Sequence, residues 1–179
     1  MNIAVFCAAN GSLDKVYYDK TIELGTWIAR NGHTLVFGGC DVGLMGCVAH
    51  AVNDAGGKCV GVVPEILLNN PLRPLPPLDE LVACRDMSER KDIIIERSDC
   101  IVALPGGVGT LDEVFTVVSQ ASVGYPRPAV ILYNINHFWD NLKSMLHELE
   151  QHGVLRTGWK EQMVFVDDFE TLTEKIQEK

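Results

Sequence analysis

The chain has 179 residues, 47% of them apolar and 22% charged, with a formal net charge of −9. That is enough chain for one domain with a full core, and the acidic balance argues against sequence-independent binding to nucleic acid, which needs a basic face. No apolar run reaches the length of a membrane span, and the start, Asn2-Ile3-Ala4-Val5-Phe6-Cys7, has neither the basic region nor the cleavage site of a secretory signal. The six cysteines include no Cys-x-x-Cys pair and no Cys/His cluster at zinc-ligand spacing, so they read as reduced core thiols of a cytoplasmic protein without a metal.

Residues 2–8 form an apolar run, the first expected strand. A small-residue turn follows, and Ser12 is a candidate N-cap for a helix over 13–31 that Gly32 stops. Residues 34–37 are a second strand. Gly38-Gly39-Cys40-Asp41-Val42-Gly43-Leu44-Met45-Gly46 is then a glycine-rich turn opening a helix that runs to about Ala55. Residues 58–63 make a third strand ending at Pro64. This β-α-β-α-β order predicts a doubly wound parallel sheet of Rossmann-like type, with helices on both faces and ligands at the carboxyl ends of the strands. Residues 65–79 carry Pro71, Pro74, Pro76 and Pro77 and read as a loop. It is either a plain surface connection or a border of the site.

Residues 81–84 read as a short strand and 85–98 as a helix, with Arg90 and Lys91 in its early turns. Cations near a helix start oppose its dipole. The pair is either solvated surface charge or has a functional reason to be there. Cys100-Ile101-Val102-Ala103 is a buried strand leading into Leu104-Pro105-Gly106-Gly107-Val108-Gly109-Thr110-Leu111-Asp112-Glu113, and then a helix. A glycine-rich turn ahead of a helix N-terminus is an anion site, with phosphate the first choice. It is neither a Walker loop, since no Lys follows Gly109-Thr110, nor a complete dinucleotide fingerprint. Asp112 and Glu113 leave two readings. Thr110 to Glu113 fits a capping box, with Thr110 as N-cap; alternatively, Glu113 is a catalytic carboxylate. Further on, 129–133 is a strand, 138–151 an amphipathic helix stopped by Gly153, 163–166 a last strand, and 169–177 a helix capped by Asp168. With no repeat or linker, residues 1–179 are expected to form one domain.

Three motifs together carry a resemblance over nearly the whole chain. Residues 105–113 resemble the PGGxGTxxE motif of the LOG proteins, the cytokinin riboside 5'-monophosphate phosphoribohydrolases once labelled lysine decarboxylases. Met87-Ser88-Glu89-Arg90-Lys91 resembles that family's MxxRK stretch, and residues 38–46 its GGGxxGLMG turn. The resemblance implies a homodimer that hydrolyses the N-glycosidic bond of a nucleoside 5'-monophosphate to base and ribose 5-phosphate, with no metal or organic cofactor. The family's essential Arg and Glu fall on Arg90 and Glu113. Its substrate contacts fall on Met87, Arg90, Lys91, Gly106, Gly107, Val108, Gly109, Thr110, Leu111, Asp112, Glu113 and Ser119. The chemistry suits these residues: a cation-like sugar forms as the bond breaks, and a carboxylate can stabilise it or orient the attacking water. Departures include Cys7-Ala8-Ala9-Asn10-Gly11 in the first turn, Asp112 where Glu is common, and the 65–79 loop. The base therefore does not follow from the motif. A carrier that binds a nucleotide or the molybdenum cofactor without cleaving it is the alternative, and a protein in which the acids act only as caps is a third.

Overall fold

Strand β1 (Asn2–Phe6) lies at the middle of a seven-stranded, all-parallel sheet, and the chain grows outward from it in both directions. The computed structural model describes residues 1–68 and 70–178. On one side come β2 (Thr34–Phe37), β3 (Lys58–Pro64) and β4 (Glu80–Cys84), joined through α1 (Lys15–Arg30) and α2 (Gly43–Asp54). Helix α3 (Met87–Glu96) then carries the chain back across the sheet to β5 (Cys100–Ala103), which pairs with the free edge of β1. Helix α4 (Val108–Ser122), β6 (Val130–Tyr133), α5 (Asp140–Gln151), the one-turn helix α6 (Trp159–Gln162), β7 (Met163–Val166) and α7 (Phe169–Gln177) complete the other side. The order is β4-β3-β2-β1-β5-β6-β7. The direction of winding reverses between β1 and β5, and ligands of open α/β sheets bind at such a switch point.

Side chains alternate across the pleat, so each central strand feeds two cores. Ile3, Val5 and Cys7 pack beneath α1, α2 and α7, against Leu24, Val48 and Leu172. Ala4 and Phe6 face the opposite layer with Ile94, Val114, Val117 and Leu142 from α3, α4 and α5. Strands buried on both faces have no polar side to show. That is why they appear in the sequence as unbroken apolar runs.

Element boundaries moved by a residue or two at the helix ends. Helix α1 starts at Lys15 rather than 13, with Asp14 at the cap position, so Ser12 caps nothing. Helix α3 spans Met87–Glu96 inside the expected 85–98. Asp168 does cap α7, accepting from the Thr171 N–H at 2.8 Å. Helix α6 was not foreseen: four residues are too few to show a helical period.

Candidate functional site

The site is assembled by backbone around Ala8, where the chain leaves β1. The Ala8 N–H donates to the Pro105 carbonyl at 3.1 Å, fastening the first turn to the central motif. Its carbonyl accepts from the Leu44 and Met45 N–H groups at 3.0 and 3.2 Å. That occupies the N-terminus of α2. The turn depends on Gly43, whose φ is +63° and whose added Cβ would fall 2.4 Å from the Asn10 carbonyl oxygen. The second glycine turn is therefore a structural joint, and the N-terminus of α4 is the one left open.

Helix α4 begins earlier than the capping-box pattern predicts. Gly107 is the cap residue, no side chain caps it, and Val108, Gly109 and Thr110 are the first helical residues. Their N–H groups and the positive end of the helix dipole face the crevice. Thr110 is not an N-cap, and Glu113 lies in the second turn, with no acid in the first. The capping reading of Glu113 is thus overturned. Reciprocal capping occurs instead at α3. The Asp86 carboxylate accepts from the Ser88 and Glu89 N–H groups at 2.9 Å each, and Glu89 reaches back to the Arg85 N–H at 2.6 Å. This fixes the start of α3 immediately ahead of Arg90.

Arg90 is not surface charge; it is 8% exposed. Its Nε donates to the Val62 carbonyl at 3.1 Å and its Nη2 to the Gly38 carbonyl at 3.0 Å. A side chain at position 38 would occupy the guanidinium's place, since an added Cβ there lies 1.6 Å from Nη2. The remaining nitrogen, Nη1, stands 3.9 Å from Glu113 Oε1. Glu113 is 5% exposed and makes no hydrogen bond among the described residues. Burial pushes its carboxyl from 4.5 up to about 7, Arg90 and Lys91 pulling against that and Asp112 adding to it. Burial also holds the Cys7 thiol well above its ordinary value, with the Glu113 charge adding to the effect.

These groups line a cavity of about 370 Å³ at the switch point. Its walls include Cys7 to Asn10 after β1, Gly38 to Cys40 after β2, Met87 and Arg90 on α3, and Gly107, Val108, Gly109, Thr110 and Glu113 on α4. The 65–79 loop does border it, through Leu67, Arg73 and Leu75. Of the residues the motifs nominated, Gly106, Lys91, Leu111, Asp112 and Ser119 do not line it. Lys91 contacts both Asp112 carboxylate oxygens at 2.8 Å, which joins α3 to α4 outside the cavity. Ser119 lines a separate groove between α4 and the segment around α6. Arg73 and the two loop leucines were missed as individual residues, because the proline spacing that marks a loop says nothing of what it covers.

Fold and crevice together define a doubly wound, Rossmann-like protein with a buried Arg–Glu pair beside an open helix N-terminus. A family model described as "Possible lysine decarboxylase" matches residues 45–176. The cytokinin riboside 5'-monophosphate phosphoribohydrolase of Mycobacterium tuberculosis is 39% identical over 167 residues, covering 93% of this chain and 88% of that protein. An Arabidopsis thaliana protein of the same name, LOG4, is 32% identical over 176 residues, covering 98% of this chain and 81% of its own. The chain belongs to this LOG-type family. The molybdenum cofactor carrier protein of Chlamydomonas reinhardtii superposes with a TM-score of 0.74 over 99% of this chain and 96% of its own, at 20% identity, a likeness of fold alone.

Proposed function

We propose that this chain is a phosphoribohydrolase that cleaves the N-glycosidic bond of a nucleoside 5'-monophosphate, releasing the free base and ribose 5-phosphate. The observation that carries this reading is Glu113: a buried carboxyl without a hydrogen-bond partner among the described residues, facing a cavity beside Arg90. Structural acids are hydrogen-bonded or solvated; a buried one held only by a long ion pair, with a perturbed titration, is a mark of function.

In the proposed reaction the bond between the ribose C1' and the base nitrogen breaks, water adds its oxygen to C1', and its proton passes to the departing base. The transition state carries positive charge on the sugar. The Glu113 carboxylate stabilises that charge and orients the water, and a carboxyl titrating near neutrality is a better proton acceptor than an ordinary one. The phosphate sits on the N-terminus of α4 at residues 107–110, which positions the sugar and supplies remote binding energy. Arg90 turns its Nη1, which makes only long contacts of 3.9 Å to Met87 Sδ and Glu113 Oε1, toward the substrate and holds the position of Glu113. AMP and cytokinin-type adenine nucleotides are the proposed substrates, the latter following the relatives' names. The proposed working form is a homodimer, as the family resemblance implies, and a cytoplasmic one, in keeping with the reading of the cysteines as reduced core thiols.

The test is product analysis after incubation with AMP and with isopentenyladenosine monophosphate. Free base with ribose 5-phosphate in equal amounts supports the reading. Nucleoside with inorganic phosphate would make the protein a phosphatase, and tight binding without turnover would make it a carrier.

A further inference from the structure

The cavity lacks positive charge for the substrate proposed above. A phosphate monoester carries about −1.5 to −2 at neutral pH. Arg90 spends two of its nitrogens on the Val62 and Gly38 carbonyls and keeps the third near Glu113. Lys91 is held by Asp112 and does not line the cavity. The open N-terminus of α4 supplies about half a charge. The balance has to come from elsewhere on the cavity wall.

Arg73 is the other cation on that wall. It is exposed, and among the described residues its guanidinium has neither an ion pair nor a hydrogen bond. The backbone that carries it is nonetheless fastened. The Arg73 N–H donates to the Asn70 carbonyl at 2.9 Å, and the next carbonyl, of Pro74, accepts from the Asp41 N–H at 2.7 Å. Asn53 Nδ2 donates to the Pro77 carbonyl at 3.0 Å, and the Asp79 N–H to the Cys59 carbonyl at 2.9 Å. Pro74 also restricts the Arg73 backbone to extended conformations. A free guanidinium on a tethered segment, on the wall of the same cavity as a helix N-terminus, has the donors of one half of a phosphate clamp.

We propose that Arg73 is a substrate-binding residue that grips the phosphate of the nucleotide together with the N-terminus of α4. This inference rests on the hydrolase reading for its substrate, and it predicts a contribution to binding more than to chemistry. Arg73→Gln should raise KM for AMP by about 10- to 100-fold, as expected when a charge-assisted hydrogen bond is lost, with kcat nearly unchanged. Arg73→Lys should recover part of the loss. Calorimetry should show AMP and ribose 5-phosphate both weakened by Arg73→Gln, with adenosine binding unaltered. Unchanged AMP affinity, or an equal loss for adenosine, would overturn the proposal and leave Arg73 as solvated surface charge. A wild type that binds AMP but releases no base would strike the hydrolase reading alone, and the same titrations would still decide Arg73. A wild type that does not bind AMP would overturn both.

Discussion

Replacing Glu113 by Gln should stabilise the protein, and only at neutral and alkaline pH. The folded-state value of about 7 lies above the ordinary 4.5 because burial disfavours the charge. With the folded value raised, the acid's contribution to stability is full below about pH 4.5 and is lost as pH rises through 7. Each pH unit of that gap is worth about 1.4 kcal/mol, so ionised Glu113 costs the folded state about 3 kcal/mol. Gln copies the neutral acid and avoids the cost. Urea denaturation of the two proteins should therefore differ by less than about 1 kcal/mol at pH 5 and by about 3 kcal/mol at pH 8, with the variant more stable. At this chain length that is a rise in Tm of about 6–12 °C. A capping glutamate predicts the opposite sign, a loss of about 1 kcal/mol on substitution. A variant less stable than the wild type at pH 8 would refute the reasoning.

The same ionisation should govern turnover: kcat/KM for AMP should rise with pH through about 7 in the free enzyme and lose that inflection in Glu113→Gln, as read from a pH–rate profile. Gly38→Ala should displace the Arg90 guanidinium, whose Nη2 lies 1.6 Å from the new Cβ, and lower kcat/KM at least about tenfold while the far-ultraviolet circular dichroism stays that of the wild type. Gly43→Ala should instead cost stability, by more than about 2 kcal/mol in urea denaturation. It adds a left-handed strain to an overlap with the Asn10 backbone at a joint between two loops.

What the sequence showed of the fold, it showed because parallel strands are apolar throughout. Residues 34–37, 100–103 and 163–166 are strands in the structure over the bounds their composition predicts. Helix starts were less legible. The local pattern Thr110-x-x-Glu113 satisfies a capping box as well as Asp86-x-x-Glu89 does, yet only the second is used that way. The two differ in where the helix starts, with the cap at Gly107 for α4 and at Asp86 for α3, and the Ala8–Pro105 bond that fastens the turn before α4 is not local in sequence. The same limit hid the Lys91–Asp112 pair, the closure of the α2 N-terminus by Ala8, and the reach of Arg73 to the cavity. The motif residues Arg90 and Glu113 were legible as chemistry. The family resemblance named them together, but that they meet at 3.9 Å in a buried crevice was not legible, since the rest of α3, β5, the glycine turn and the start of α4 lie between them in the chain.

The most direct test of the account is the release of base from AMP by wild type and by Glu113→Gln, measured at pH 8, where the variant is expected to be the more stable protein. The account predicts free adenine and ribose 5-phosphate from the wild type and a loss of at least about a hundredfold in kcat for the variant, with AMP still bound. A folded variant that releases base at the wild-type rate would contradict it, because the buried carboxyl would then have no part in the reaction.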